Sequence, residues 1–130
     1  LTDSPVGLAG WLLEEFFAWS DGDNELTQRF ELDELLTNVS VYWFSGNVAS
    51  TLRMYEENSR QPLRFDSGER IIPPLSYARF PKEIVNPPRE WAERLFNVAR
   101  WTEMPVGGHF AALEQPRALA IDIHDAFSSL

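Results

Sequence analysis

Residues 75–80, LSYARF, and residues 98–110, VARWTEMPVGGHF, carry the reading on which the fold turns. The first is short, aromatic and bounded by prolines, which suits a strand, and Val98 to Met104 reads as a second strand. Between them Asn86-Pro87-Pro88 leads into a helical stretch of about Arg89 to Phe96. Beyond the Pro105–Phe110 loop, an amphipathic helix spans about Pro116 to Phe127, with Leu119, Ile123 and Phe127 on one face. Strand, helix, strand, loop and helix in that order is the pattern of a parallel sheet flanked by helices.

The chain before these strands reads as all helix. Ser4 is placed to cap a helix and Pro5 suits its first position. Leu8, Trp11, Leu12, Phe16 and Trp19 follow, mostly at helical spacing, and Asp21-Gly22-Asp23-Asn24 makes a turn. A second helix spans about Leu32 to Phe44, with Leu35, Leu36, Val39, Tyr42 and Trp43 on its apolar face, and Gly46-Asn47 breaks it. A third spans about Val48 to Asn58. Ser59 to Pro74 is largely polar with several prolines and reads as connection. The expected division is therefore a helical portion over 1–65 and an α/β portion over 66–130.

Composition limits what such a chain does. It has 130 residues, 44% of them hydrophobic, which is enough to build a core and is unlike a disordered tail. The net charge is −9, with the basic residues scattered, so nucleic-acid binding and docking on anionic membranes are disfavoured. No stretch reaches the roughly 18 consecutive apolar residues of a membrane span. There is no cysteine, hence no disulfide, thiolate zinc ligand or thiol nucleophile. No dinucleotide fingerprint, phosphate loop or zinc spacing is present. The chain opens on Leu1 rather than Met and reads as a piece of a longer protein.

His109 is the sharpest chemical feature. It follows Gly107-Gly108 after a strand and precedes a helix, and sites in parallel sheets lie off the carboxyl ends of the strands. That is where a general base sits; the alternative is a loop histidine bonded to backbone. Glu83 follows the preceding strand, so both residues fall at one sheet edge, where an acid can orient the imidazole. Its alternatives are a solvated glutamate or a partner for Lys82 or Arg89, and Glu103 and Asp66 compete as the acid. Tyr55, on the third helix, is either a packed aromatic or a phenol able to donate to a developing alkoxide. Trp11, Trp19, Trp43 and Phe44 either line an apolar pocket or fill a core. His124 has no assigned role, and Asp122, two residues away, does not face it.

The segments DSPVGLAGWLLEEF (3–16), FELDELLTNVSVYW (30–43), RMYEEN (53–58), RFPKEI (79–84) and PPREWAERLFNVARWTEMPVGGHFAALEQP (87–116), with the closing helix, resemble the C-terminal part of the microsomal-type epoxide hydrolases, a group that includes the juvenile-hormone epoxide hydrolases. The resemblance covers nearly the whole chain. It implies an α/β-hydrolase fold, represented here by the end of a helical cap and the last core strands and helices.

The resemblance further implies a mechanism. An upstream aspartate opens an epoxide to an ester, cap tyrosines donate to the epoxide oxygen, and a histidine oriented by an acid activates water, with no metal or organic cofactor required. It assigns the histidine to His109, the acid to Glu83 and one tyrosine to Tyr55, with Trp43 and Phe110 expected at the substrate. The acid-then-histidine order, 26 residues apart, suits one helix and one strand between them. No nucleophile elbow occurs in the sequence, so the chain alone is expected to be inert unless an N-terminal portion completes it; a homo-oligomer is the partner expected if the chain is an interaction module. The acidic charge fits a bacterial cytoplasmic protein; a eukaryotic relative would be held at the endoplasmic reticulum by an upstream segment. Competing readings are an esterase or dehalogenase on the same fold and a non-catalytic interaction module. Tyr55 favours the epoxide, because ester cleavage needs no cap phenol.

Overall fold

Ser4 accepts a hydrogen bond from the Gly7 N–H at 3.0 Å, and Pro5 starts the first helix at the position where a missing N–H costs nothing. In the computed structural model, which describes residues 1–128, this helix, α1, spans Pro5–Trp19. A short helix, α2 (Leu26–Arg29), follows, then α3 (Leu32–Ser45) and α4 (Val48–Arg60). Asp33 and Glu34 occupy the first turn of α3, where the helix dipole favours negative charge. Gly46 ends α3 with φ +68°, the left-handed conformation that a side chain resists. The α/β part comprises β1 (Ile71–Arg79), α5 (Arg89–Leu95), β2 (Phe96–Glu103), α6 (Ala111–Glu114) and α7 (Pro116–Ser128). The two short helices α2 and α6 are absent from the pattern-based reading, since four residues carry no period.

The chain divides into two compact units. One holds Leu1–Ala18 and Asn24–Asp66; the other holds Trp19–Asp23 and the chain from Ser67 onward. In the helical unit Leu8, Phe16, Phe30, Leu35, Val39 and Val48 are buried. Phe16 and Phe30 meet edge to face at 5.4 Å, and the Arg29 guanidinium lies over the Phe17 ring.

In the other unit β1 and β2 pair in parallel, from Ile71 opposite Phe96 to Arg79 opposite Glu103, with α5 in the crossover between them. The first strand begins at Ile71, inside the stretch expected to be connection. Its two prolines cannot donate to a ladder, and the pairing is irregular between Ile71 and Pro74. The Asn97 side chain compensates by donating to the Ile72 carbonyl at 3.0 Å.

The last helix turns Leu119, Ile123 and Phe127 to one side, as its period implies, but a charged residue lies deepest on that side. Ile123 and Phe127 are exposed and border a groove beside Leu75 and Ala78, while the buried residues of α7 are Asp122 and Ala126. The reason is Arg100 on β2, which donates two hydrogen bonds to Asp122 Oδ1, at 2.7 and 3.3 Å. Burial pushes the Asp122 carboxyl up, but hydrogen bonds from Arg100 and Thr102 outweigh it and hold the group below the usual carboxylate range. Its stabilising effect is therefore complete above the unfolded-state value and fades as pH falls through the lower folded-state value.

Asp122→Asn is expected to destabilise the protein by about 1–3 kcal/mol at neutral pH, the range for a lost charge-assisted hydrogen bond in a group only 7% exposed. Urea unfolding measures this, and the gap between wild type and variant should narrow below about pH 4.

Candidate active site

Parallel pairing continues past the ends of β1 and β2. Lys82 forms a further parallel bridge with Gly108, and its N–H donates to the Gly107 carbonyl at 3.1 Å. One residue beyond each bridge partner stand Glu83 and His109, and His109 Nδ1 lies 2.7 Å from Glu83 Oε1. An ionised carboxylate only accepts, so the shared proton belongs on Nδ1 and the lone pair of Nε2 is left to take a proton. The two side chains are 39% and 29% exposed in this chain.

The acid is held by its own turn. Glu83 Oε1 also accepts the Ile84 N–H at 2.7 Å, and the Glu83 N–H donates to the Phe80 carbonyl. Asn86 Nδ2 donates to the same carbonyl at 2.9 Å, closing residues 80–86 into a loop. Tyr77 stacks on Trp101 with centroids 4.4 Å apart and points its hydroxyl at the Val85 carbonyl. Burial and the neighbouring Glu83 carboxylate raise the Tyr77 phenol above its ordinary value, which keeps it neutral and donating. Glu103, a competitor for the role of acid, is engaged elsewhere: it accepts from Trp101 Nε1 at 2.9 Å and from Arg79 at 2.8 Å. These bonds hold its carboxyl below the ordinary value. Arg89 pairs with Glu93 rather than with Glu83.

The histidine loop needs its glycines. Gly107 has φ +112°, and a Cβ there would stand 2.7 Å from the Phe80 ring. A Cβ on Gly108 would stand 2.5 Å from the Trp19 carbonyl oxygen and 3.0 Å from the Asp21 nitrogen, both main-chain atoms. That close approach allows the His109 N–H to donate to Trp19 O at 2.9 Å. The Trp19 ring meets the imidazole edge to face at 5.3 Å, and Phe110 meets it from another direction at 5.2 Å. Phe110, expected at the substrate, is thus beside the histidine. Trp43 and Tyr55 belong to the helical unit, on α3 and α4; Trp43 is half-buried and Tyr55 is 54% exposed. Among the described residues there is no group of three or more His, Cys, Asp or Glu able to hold a metal, and no helix is long and apolar enough to cross a membrane.

Sequence reasoning missed two acids of this loop. Glu114 accepts the N–H groups of Asp21, Gly108 and Phe110, and Asp21 accepts the Gly107 N–H at 2.8 Å. A partial signal existed for Glu114, an acid in the first turn of a helix, where main-chain N–H groups lack intrahelical acceptors. Asp21, 86 residues from its partner, left none.

Two parallel strands, a crossover helix and an acid–histidine pair off the carboxyl ends define part of an α/β-hydrolase. No family model matches the sequence. The chain is 40% identical over 132 residues to epoxide hydrolase 1 of Oryctolagus cuniculus, with 95% of the chain covered. It is 40% identical over 136 residues to juvenile hormone epoxide hydrolase 2 of Ctenocephalides felis, with 97% covered. In each case it spans only 29% of the relative's length. An enantioselective variant of the Aspergillus niger epoxide hydrolase superposes on all of the chain and on 32% of that enzyme, with a TM-score of 0.81 and 29% identity. The chain is homologous to a C-terminal portion of the epoxide hydrolases and carries part of their α/β-hydrolase fold.

Gly108→Ala is expected to cost about 1–3 kcal/mol, because main-chain atoms at 2.5 and 3.0 Å cannot rotate aside as a side-chain end can. Gly46→Ala, strained only in φ and facing open space, should cost about 1 kcal/mol. Chemical denaturation of both variants measures the difference, and the Gly108 variant alone should shift the His109 imidazole resonances.

Proposed function

We propose that the protein containing this chain converts an epoxide and water to a vicinal diol, and that this chain supplies the water-activating pair and a proton donor. The observation that carries the reading is the 2.7 Å contact between Glu83 and His109 off the ends of adjacent parallel strands. The relatives' names support the substrate class.

An aspartate from outside these 130 residues attacks an oxirane carbon. A carbon–oxygen bond forms to the carboxylate, the ring carbon–oxygen bond breaks, and its electron pair moves to the departing oxygen. Tyr55 donates its phenolic proton to that oxygen, stabilising charge that develops only in the transition state. The product is an ester between the aspartate and the β-hydroxyalkyl group, and covalent catalysis has divided the barrier. His109 Nε2 then takes a proton from water as the hydroxide adds to the ester carbonyl, while Glu83 holds the Nδ1–H and stabilises the imidazolium. The acyl carbon–oxygen bond breaks, the His109 imidazolium returns its proton to the departing alkoxide, the regenerated aspartic acid gives its proton through solvent to the Tyr55 phenolate, and the diol leaves. Phe110, beside the imidazole, and Trp43 supply apolar surface for the carbon skeleton.

In the complete protein, His109→Gln should retain ester formation and accumulate the bound ester, detectable by mass spectrometry after rapid quench. Glu83→Gln should slow ester hydrolysis by roughly 10²–10⁴-fold, the range of general-base contributions, and slow ester formation far less. Tyr55→Phe should slow ester formation instead. A His109 variant that binds epoxide and accumulates no ester removes the assignment. The 130 residues alone should give no diol.

A further inference from the structure

Four consecutive main-chain N–H groups around the histidine are each accepted by a group outside the Gly107–Phe110 segment. Gly107 N–H donates to Asp21 Oδ2 at 2.8 Å, Gly108 N–H to Glu114 Oε2 at 3.1 Å, His109 N–H to Trp19 O at 2.9 Å, and Phe110 N–H to Glu114 Oε1 at 3.0 Å. Glu114 Oε2 also accepts the Asp21 N–H at 2.7 Å. The two oxygens of one carboxylate therefore bracket His109 in the chain, and the same carboxylate ties in the segment that supplies the other two acceptors.

We propose that Glu114, with Asp21 as its partner, is a positioning residue for the base, fixing the imidazole against Glu83 through the main chain. The epoxide-hydrolysis consequence rests on the function proposed above; the positioning itself does not. Neither acid touches the imidazole, so neither is a catalytic residue. The physical argument is one of acceptors. Four N–H groups in a tight Gly-Gly turn cannot satisfy one another, and half-buried amides without partners reopen the turn to solvent. A carboxylate suits the task because both its oxygens accept, and charge-assisted bonds are the stronger kind. A carboxamide has one accepting oxygen, and its NH2 would face an N–H. Glu114→Gln therefore keeps the volume and removes half the bracket. A loosened bracket lets Nδ1 drift from Glu83, and displacements of about 1 Å cost on the order of 100-fold in a step that depends on alignment.

The test uses Glu114→Gln and Asp21→Asn in the complete protein, with two readouts. The first is the low-field Nδ1 proton of His109 by NMR, which needs no substrate. The second is rapid-quench measurement of ester formation and ester hydrolysis with an aryl epoxide. The expected result for Glu114→Gln is at least tenfold faster exchange of the Nδ1 proton. Ester hydrolysis should slow roughly 10- to 100-fold, with ester formation within about threefold of wild type. Asp21→Asn, which loses one accepting oxygen of one bond, should shift the same readouts in the same direction by less. An unchanged Nδ1 proton in both variants overturns the inference, as does an equal loss of both chemical steps with that proton intact. If Glu114→Gln does not fold, Asp21→Asn decides by the same criteria. If the wild-type protein opens no epoxide, the proposed function fails, and the Nδ1 proton alone still decides whether Glu114 positions the histidine.

Discussion

The arrangement depends on a ladder that outlasts its strands. β1 and β2 end at Arg79 and Glu103, yet the parallel bridge between Lys82 and Gly108 carries the pairing three residues past one end and five past the other. Without that bridge, Glu83 and His109 would sit on two independent loops. Holding two freely moving side chains at 2.7 Å in solvent would offset most of the gain from their contact. With it, the separation of the two side chains is inherited from the sheet. The chemistry proposed for the pair is thus a property of strand register, and each support around it protects that register. Asn86 closes the acid's turn, the glycines permit close approach of the histidine's loop, and the two carboxylates fill its donors.

The polar groups follow one economy. Where the main chain leaves N–H groups unpaired in a tight turn, half-buried carboxylates collect several at once. Where a buried carboxylate lies on α7, a guanidinium and a threonine hydroxyl share it. An acidic chain of net charge −9 can afford many exposed carboxylates, but these few have defined donors. They differ in kind from the surface pairs Arg60–Glu56 and Arg89–Glu93, which lie one helical turn apart and contribute little.

Much of this was legible in the sequence. Ser4-Pro5 and Gly46 mark helix ends through local chemistry alone, and both ends fall where that chemistry puts them. The Glu83–His109 contact was legible because residues that follow consecutive parallel strands share an edge. The rest was illegible for a common reason. Asp122 facing inward, Asp21 meeting Gly107 and Glu114 meeting Asp21 are all settled by partners remote in the chain, and the apolar period along α7, though it marks the face turned to the sheet, carries no sign of the Arg100 contact. The early start of β1 escaped because prolines ordinarily argue against a strand, and the rescue by the Asn97 side chain comes from the neighbouring strand.

Trp19–Asp23 belongs with the sheet although it lies between two parts of the helical unit. Evolution or engineering that exchanges helical units among related proteins therefore has three seams to respect, at 18/19, 23/24 and 66/67. A transplant cut only near residue 66 would import a foreign five-residue strap, and with it a foreign seat for the imidazole. A change made in the helical unit would thus arrive coupled to a change in how firmly His109 is held against Glu83.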